Sequence, residues 1–551
     1  MSDSLSDVDR VSVDSSLFEN TLHLRKSMNV SATDIKKQQQ QHTTQVKEEE
    51  GEVHYDDNGE PILRKSFSLW SILGVGFGLT NSWFGISASM VTGLSSGGPM
   101  MIVYGIIIIA LISVCVGVSL GELSSAYPHA GGQFWWTLQL APPNHKRFAA
   151  YMCGSFAYAG SVFTSASTTL SVATEVVGMY ALAHPNFEVK RWHVFITFEL
   201  LHLLLMLFNC YGRSLPLISS SSLYISLLSF FTITITVLAC SSGQYNDAKF
   251  VFATFYNQTG WKNSGIAFIV GLINPAWSFS CLDCATHMAF EVEKPEKVIP
   301  TAIMGTIAIG FITSFSYVVS MFFSIRDIEA LMASTTGAPI LDIYHQALGN
   351  KGGAIFLGCL ILFTSFGCVI ACHTWQARLC WSFARDRGLP YSKLWSQVNP
   401  HVGVPLNAHL MSCCWIAIIG ILYLASSTAF NSLITACIAF LLLSYMVPVV
   451  CLLWRRRQIK HGPFWLGKYG FVANIVLLAW TAFAIVFFSF PPVLPVDRNN
   501  MNYVCVVIAG YTLYAVLYWK FKGSKEFHLE QEHVARQNSN YTQEQDANDQ
   551  N

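Results

Sequence analysis

Two clusters of unlike residues interrupt a very apolar background. One reads Leu79-Thr80-Asn81-Ser82-Trp83-Phe84-Gly85, the other Asn274-Pro275-Ala276-Trp277-Ser278-Phe279-Ser280-Cys281-Leu282-Asp283. Each combines small polar residues, a helix-disturbing residue and two large rings. The faces of such rings attract a quaternary ammonium by cation–π interaction, worth on the order of 2 kcal/mol once water is excluded. Trp83, Phe84, Trp277 and Phe279 are therefore candidate walls for a cationic head group, with Ser82, Gly85 and Ser278 beside them. Tyr158 and Phe163 are further aromatics for which a space-filling role is the competing reading. Asp283 lies within an apolar stretch, where a charge costs several kcal/mol and is retained for a pathway, a proton relay or a pair. His287, four residues on, shares a helix face with it, and the two form a candidate coupling or gating pair. His373 is another titratable group in an apolar run, with a hydrogen-bonded structural role as the alternative.

Such residues need elements that hold them inside a bilayer. The 551 residues are 52% hydrophobic and 12% charged, about half the charged fraction of an ordinary soluble domain. Formal net charge is +0, so no overall field points to nucleic acid or an acidic polymer as partner. The start of the chain lacks the apolar core of a cleavable signal peptide, so the first span is expected to act as the insertion signal. Most cysteines lie in apolar runs and read as small buried hydrophobes. Cys281 and Cys284 have metal-like spacing, but no second ligand pair accompanies them, so no metal and no cofactor is expected.

Residues 1–62 and 526–551 are polar and lack hydrophobic periodicity, and are expected to be disordered tails. Between them, within 63–525, lie twelve apolar stretches near the roughly 20 residues that a helix needs to cross a bilayer. Their approximate limits are 67–94, 98–120, 149–182, 193–211, 215–240, 264–290, 300–324, 353–384, 406–426, 428–453, 465–490 and 502–521. With the N-terminus inside, the short inner loops take up eighteen Lys and Arg against seven outside. By the positive-inside rule both tails are cytosolic. The sequon Asn257-Gln258-Thr259 then falls in an outer loop and is a glycosylation candidate.

A carrier must hold a polar solute at mid-membrane, where irregular backbone is tolerated only if it lines a cavity. The two interruptions occupy the first and sixth stretches. These are corresponding positions if stretches one to five and six to ten form an inverted repeat, with the last two appended. The expected fold is all-α and polytopic, with twelve spans, a five-plus-five repeat and broken helices one and six. The carbonyl ends of the broken halves carry partial negative charge and suit a cation.

Several motifs carry a family resemblance: Ser66-Phe67-Ser68-Leu69-Trp70-Ser71-Ile72-Leu73-Gly74, Thr80-Asn81-Ser82-Trp83-Phe84-Gly85-Ile86-Ser87, Gly121-Glu122-Leu123 leading to Pro128-His129-Ala130-Gly131-Gly132-Gln133, Trp277-Ser278-Phe279, and Lys294-Pro295-Glu296-Lys297-Val298-Ile299-Pro300. Over about 64 to 525 the chain resembles the amino acid, polyamine and organocation transporters, and within them the fungal choline permeases of the amino acid and choline branch. The resemblance implies a LeuT-like fold, a plasma-membrane location, and alternating-access uptake of choline, with ethanolamine and related amines as further substrates and protons as a coupling ion. It also implies that Trp277 stacks on substrate and that Asp283 serves proton coupling or gating. His373 aligns with an aromatic stacking position, from which this chain departs. Where bacterial members have small residues the chain has Trp83-Phe84-Gly85, which argues against a tightly held α-carboxylate. A permease for 4-aminobutyrate or another amino acid is the alternative within the family. A membrane enzyme using His129, His287 and Asp283 is weaker, because no compact catalytic motif joins them; a non-transporting sensor lacks a signalling domain in either tail. No phosphate-binding loop implies a nucleotide.

Overall fold

The structure, a computed structural model, describes residues 54–55, 61–62, 67–334, 336–425, 429–497 and 500–527. The chain divides into a unit over Met1–Ile62 and a second over Leu63–Asn551. In the first, His54–Tyr55 pairs antiparallel with Pro61–Ile62. The expected disorder of the two tails otherwise falls almost wholly outside the described residues.

The second unit is helical. Its first elements are α1 (Leu69–Thr80), α2 (Ser82–Ala88), α3 (Gly98–Ala126), α4 (Gln133–Leu140), α5 (Lys146–Ala183), α6 (Arg191–Met206) and α7 (Leu215–Cys240). After these come α8 (Ser264–Gly271), α9 (Ile273–Ser278), α10 (Pro295–Phe323), α11 (Pro339–Leu348), α12 (Lys351–Arg385), α13 (Leu406–Ala425), α14 (Ala429–Trp454), α15 (Lys468–Phe487) and α16 (Val504–Tyr518). Nine helices among the described residues are long and apolar enough to cross a membrane. They coincide with nine of the twelve stretches read from the sequence. Two of the other three, the first and sixth, are broken. The third is the 38-residue α5, in which Ser161, Thr164, Ser165, Ser167, Thr168, Thr169 and Ser171 dilute the apolar character while each returns its hydroxyl to a carbonyl three or four residues back.

The first stretch breaks at Asn81. Ser68 starts α1 by accepting the Ser71 N–H at 3.3 Å. Asn81 ends it in a left-handed conformation, φ 30° and ψ 63°, with its N–H on the Phe77 carbonyl at 2.6 Å. Asn is among the few side-chain-bearing residues that tolerate this region. The sixth stretch is α8 and α9, then an irregular segment in which Cys281 has φ 64°, then a 3₁₀ run over Cys284–Glu291.

Packing places these pieces at the centre. α5 lies against α12 and α14, α10 against α1, α2 and α3, and α9 against α2. Gly85 makes the last contact possible: a Cβ there would stand 3.0 Å from the Ser278 Cα and 2.9 Å from its Oγ. Two buried ion pairs tie peripheral pieces together. Arg378 on α12 binds Glu291 through Nε and Nη2 at 3.0 and 3.2 Å, and Arg457 binds Glu122 on α3 at 2.7 Å. Glu122 also accepts the Leu466 N–H at 2.8 Å, so it anchors the distant loop between α14 and α15.

Candidate functional site

Between the two breaks lies a small cavity. Leu79, Thr80, Phe84 and Gly85 line it from α1 and α2, Trp277, Ser280 and Cys281 from α9 and the segment after it, Thr164 and Thr168 from α5, and Cys368 from α12. Both α1 and α9 end at this cavity, so their terminal carbonyls give it a negative cast. The Leu79 carbonyl accepts from the Cys368 thiol at 2.9 Å, and the Trp277 carbonyl from the Ser280 hydroxyl at 2.7 Å.

The broken helices are bonded to each other on both sides of the cavity. The Thr80 hydroxyl donates to the Ser280 carbonyl at 3.3 Å. The Asn274 amide donates to the Ile86 carbonyl at 3.1 Å and to the Ser89 hydroxyl at 2.5 Å.

Of the expected wall residues, Phe84, Gly85 and Trp277 are in place. Ser278 packs behind Gly85 and donates to the Asn274 carbonyl at 2.9 Å. Phe279 turns to a second, mostly apolar space between α3, α9, α14 and α15, where Ser280 and Cys281 form a shared partition. Trp83 points away, its indole donating to Ser226 on α7 at 3.0 Å and its ring 5.3 Å from that of Tyr317. Ser82 faces Gly310 of α10. Tyr158 bonds Ser412 of α13 at 3.0 Å, and Phe163 stacks on Phe440 at 5.7 Å.

His373 also lies off the cavity, since Cys368 rather than His373 is the α12 residue on the wall. Its ring is 5.2 Å from that of His202 and 5.8 Å from that of His409, and neither of its nitrogens has a partner among the described residues. No group of three or more His, Cys, Asp or Glu among the described residues is arranged to hold a metal ion.

Thr164, Thr168 and Cys368 escaped the sequence reading, while Ser280 and Cys281 lie in the second cluster without having been singled out as wall residues. Thr164 and Thr168 carried a signal, because i and i+4 hydroxyls in a Ser/Thr-rich span define one helix face. Nothing distinguishes Cys368 from the other apolar-run cysteines.

Asp283 is fully buried with four partners. Its Oδ1 accepts from the Tyr445 hydroxyl at 2.5 Å and its Oδ2 from the Gln133 amide at 2.6 Å. His287 Nε2 lies 3.1 Å from Oδ2, and Thr286 donates to the Asp283 carbonyl at 2.6 Å. His287 Nδ1 faces the Ala130 carbonyl at 2.8 Å. A carbonyl only accepts, so Nδ1 carries a hydrogen. Two lone pairs cannot face each other across 3.1 Å, so a single proton lies between Nε2 and Oδ2, and the pair is neutral overall whichever atom holds it. Gly132, at φ 53°, lets the loop pass close to this ring: a Cβ would meet His287 Cε1 at 2.9 Å.

His129, in the loop before α4, is not part of this cluster. It stacks on Trp135 at 3.9 Å, and its Nδ1 accepts the Gly131 N–H at 2.9 Å. Burial first, then the nearby Arg385 charge, pushes its pKa down to about 3, so it is neutral near pH 7.

A helical membrane protein with two broken spans around an aromatic, carbonyl-rimmed cavity is a solute carrier, and the comparisons place it among known ones. The family model described as Amino acid permease matches residues 67–511, and the chain belongs to this family, within the amino acid, polyamine and organocation superfamily. It is 82% identical over 475 residues to the choline transporter of Saccharomyces cerevisiae, covering 86% of this chain and 84% of that one. It is also 37% identical to the 7-keto 8-aminopelargonic acid transporter of the same yeast, covering 85% and 93%. An amino-acid permease of Arabidopsis thaliana is 27% identical, covering 87% and 95%. The protein is a multi-pass membrane transporter, not an enzyme.

Proposed function

We propose that this chain imports choline across the plasma membrane by alternating access, with ethanolamine and related amines as secondary substrates. One observation carries the reading: a cavity faced by Phe84 and Trp277 and rimmed by the carbonyl ends of α1 and α9, which suits a quaternary ammonium. The 82% identity to a yeast choline transporter supports the choice among amines. The polar walls, Thr80, Thr164, Thr168 and Ser280, suit the hydroxyl end of the same solute.

In this reading the chain has twelve spans, with the first five and next five related as an inverted LeuT-like repeat, and both termini cytosolic. The outer loop then carries Asn257, which is exposed and is proposed as a glycan acceptor. Asp283 and His287 couple the cycle to protons: the one proton they share, and the Gln133 and Tyr445 bonds around it, lock or release the segment below the break.

The test is uptake of radiolabelled choline into cells lacking their own carrier, with pH, sodium and membrane potential varied independently. Saturable accumulation of unchanged choline, faster with an inward proton gradient, is expected. Accumulation of 4-aminobutyrate or a neutral amino acid without choline overturns the substrate assignment, and uptake indifferent to pH overturns the coupling.

A further inference from the structure

Helix α5 passes the cavity and continues beyond it. At one level the Cys153 thiol donates to the Ser444 carbonyl, next to Tyr445 and hence to Asp283, at 3.2 Å. Eleven residues on, Thr164 meets Cys281 at 3.5 Å on the cavity wall. Thr164, Thr168, Ser171 and Glu175 follow at steps of four, three and four, so they share one helix face. Glu175 therefore lies two turns past Thr168, roughly 10 Å away, on the side of the cavity opposite Asp283.

Glu175 is 6% exposed, and its Oε1 has no hydrogen-bond partner among the described residues. A buried acceptor left in that condition calls for an explanation. Its surroundings offer one. One turn from Glu175, a Cβ at Gly178 would stand 3.3 Å from Leu341 Cδ1 of α11, and Tyr344, a turn beyond Leu341, meets the Tyr317 hydroxyl of α10 at 2.5 Å. Helix α11 packs on α2 and α5, and a Cβ at Gly178 would meet the Thr336 carbonyl at 2.8 Å, so this segment roofs the end of α5. A carboxyl group with a free oxygen, two phenol rings and a roof make a second place for a cation, whose arrival favours the ionised form of the acid.

We propose that Glu175 forms an outer binding site for the positively charged nitrogen of the substrate, holding it with Tyr317 and Tyr344 before it moves along the Ser171 and Thr168 face to Trp277. This rests on the reading that the solute is a quaternary or protonated amine.

The test compares choline with 3,3-dimethyl-1-butanol, its neutral isostere, as competitors of labelled choline uptake, with surface abundance measured for every variant. In Glu175→Gln, kcat/KM for choline falls at least about tenfold, because the attraction between the ammonium and the ionised carboxyl that holds it is lost. The inhibition constant of the isostere changes less than about twofold, because it never used the charge. Glu175→Asp retains most of the preference for the cation. A purely structural carboxyl would instead weaken both ligands alike, and that result, or an unchanged kcat/KM, overturns the proposal. If Glu175→Gln does not reach the surface, Tyr344→Leu decides, since the ring's loss must weaken choline and spare the isostere. A wild-type chain that moves no choline refutes the underlying reading and leaves the isostere comparison without a signal, so the two failures are distinguishable.

Discussion

Asp283 and Glu175 are both buried carboxyl groups in apolar helices, on opposite sides of one cavity, and they keep very different company. Asp283 is saturated by Tyr445, Gln133 and His287, the last of which is also held by the Ala130 carbonyl. Glu175 has an oxygen that nothing among the described residues satisfies. Because removing one member of a buried network strands its partners, the first carboxyl is built into the protein's stability. The second is built for something that arrives. Sequence alone ranks the two the other way for visibility, since Asp283 sits beside a proline-containing break and Glu175 in an ordinary-looking span.

The sharpest way to break the contrast is Asp283→Ala, which leaves three buried polar side chains facing empty space. It is expected to cost about 3 to 5 kcal/mol, read as a lower thermal midpoint in detergent and reduced surface abundance. A midpoint equal to wild type would make Asp283 no more integral than Glu175. Trp277→Ala should raise the KM for choline about thirty-fold, equivalent to the roughly 2 kcal/mol of a desolvated cation–π contact, while abundance holds. Normal apparent affinity would remove the aromatic wall from the account. Thr80→Val deletes the Thr80 to Ser280 bond and should cost about 1 kcal/mol, seen as a few-fold drop in uptake with little change in KM. Asp283→Asn preserves shape and removes the shared proton, so the pH dependence of uptake should flatten; a profile that keeps its slope would exclude Asp283 from coupling. His129, already neutral near pH 7, cannot supply that slope. The smallest effect is expected of His373→Leu. It replaces a buried ring without partners and off the cavity, so choline KM should stay within about twofold and stability should hold or rise.

The second break falls after Ser278, in the small polar run that follows Pro275, while Pro275 itself lies within α9. The first break was legible because Asn81 is a local signal whose effect on a helix does not depend on distant packing. The same holds for Asp283 with His287, whose spacing alone puts them on one face. Rotation about the helix axis was not legible. Trp83 follows the break as directly as Phe84 does, yet a hundred degrees per residue sends it to Ser226 and Tyr317 instead of the cavity. His373 and Cys368 differ by five residues on one long helix, and only the neighbours of α12 decide which of them meets solute. Gln133 and Tyr445 could not be found by pattern, since each reaches Asp283 across more than a hundred residues of sequence.

The bonds that run from Thr80 to Ser280 and from Asn274 to Ile86 and Ser89, with Gly85 seated against Ser278 between them, have a mechanical consequence. Two spans fastened above and below a load cannot part around it without breaking several buried bonds together. In the proposed transport cycle they swing as a single lever, and the seam that opens to each side runs between that lever and the α5 and α12 wall.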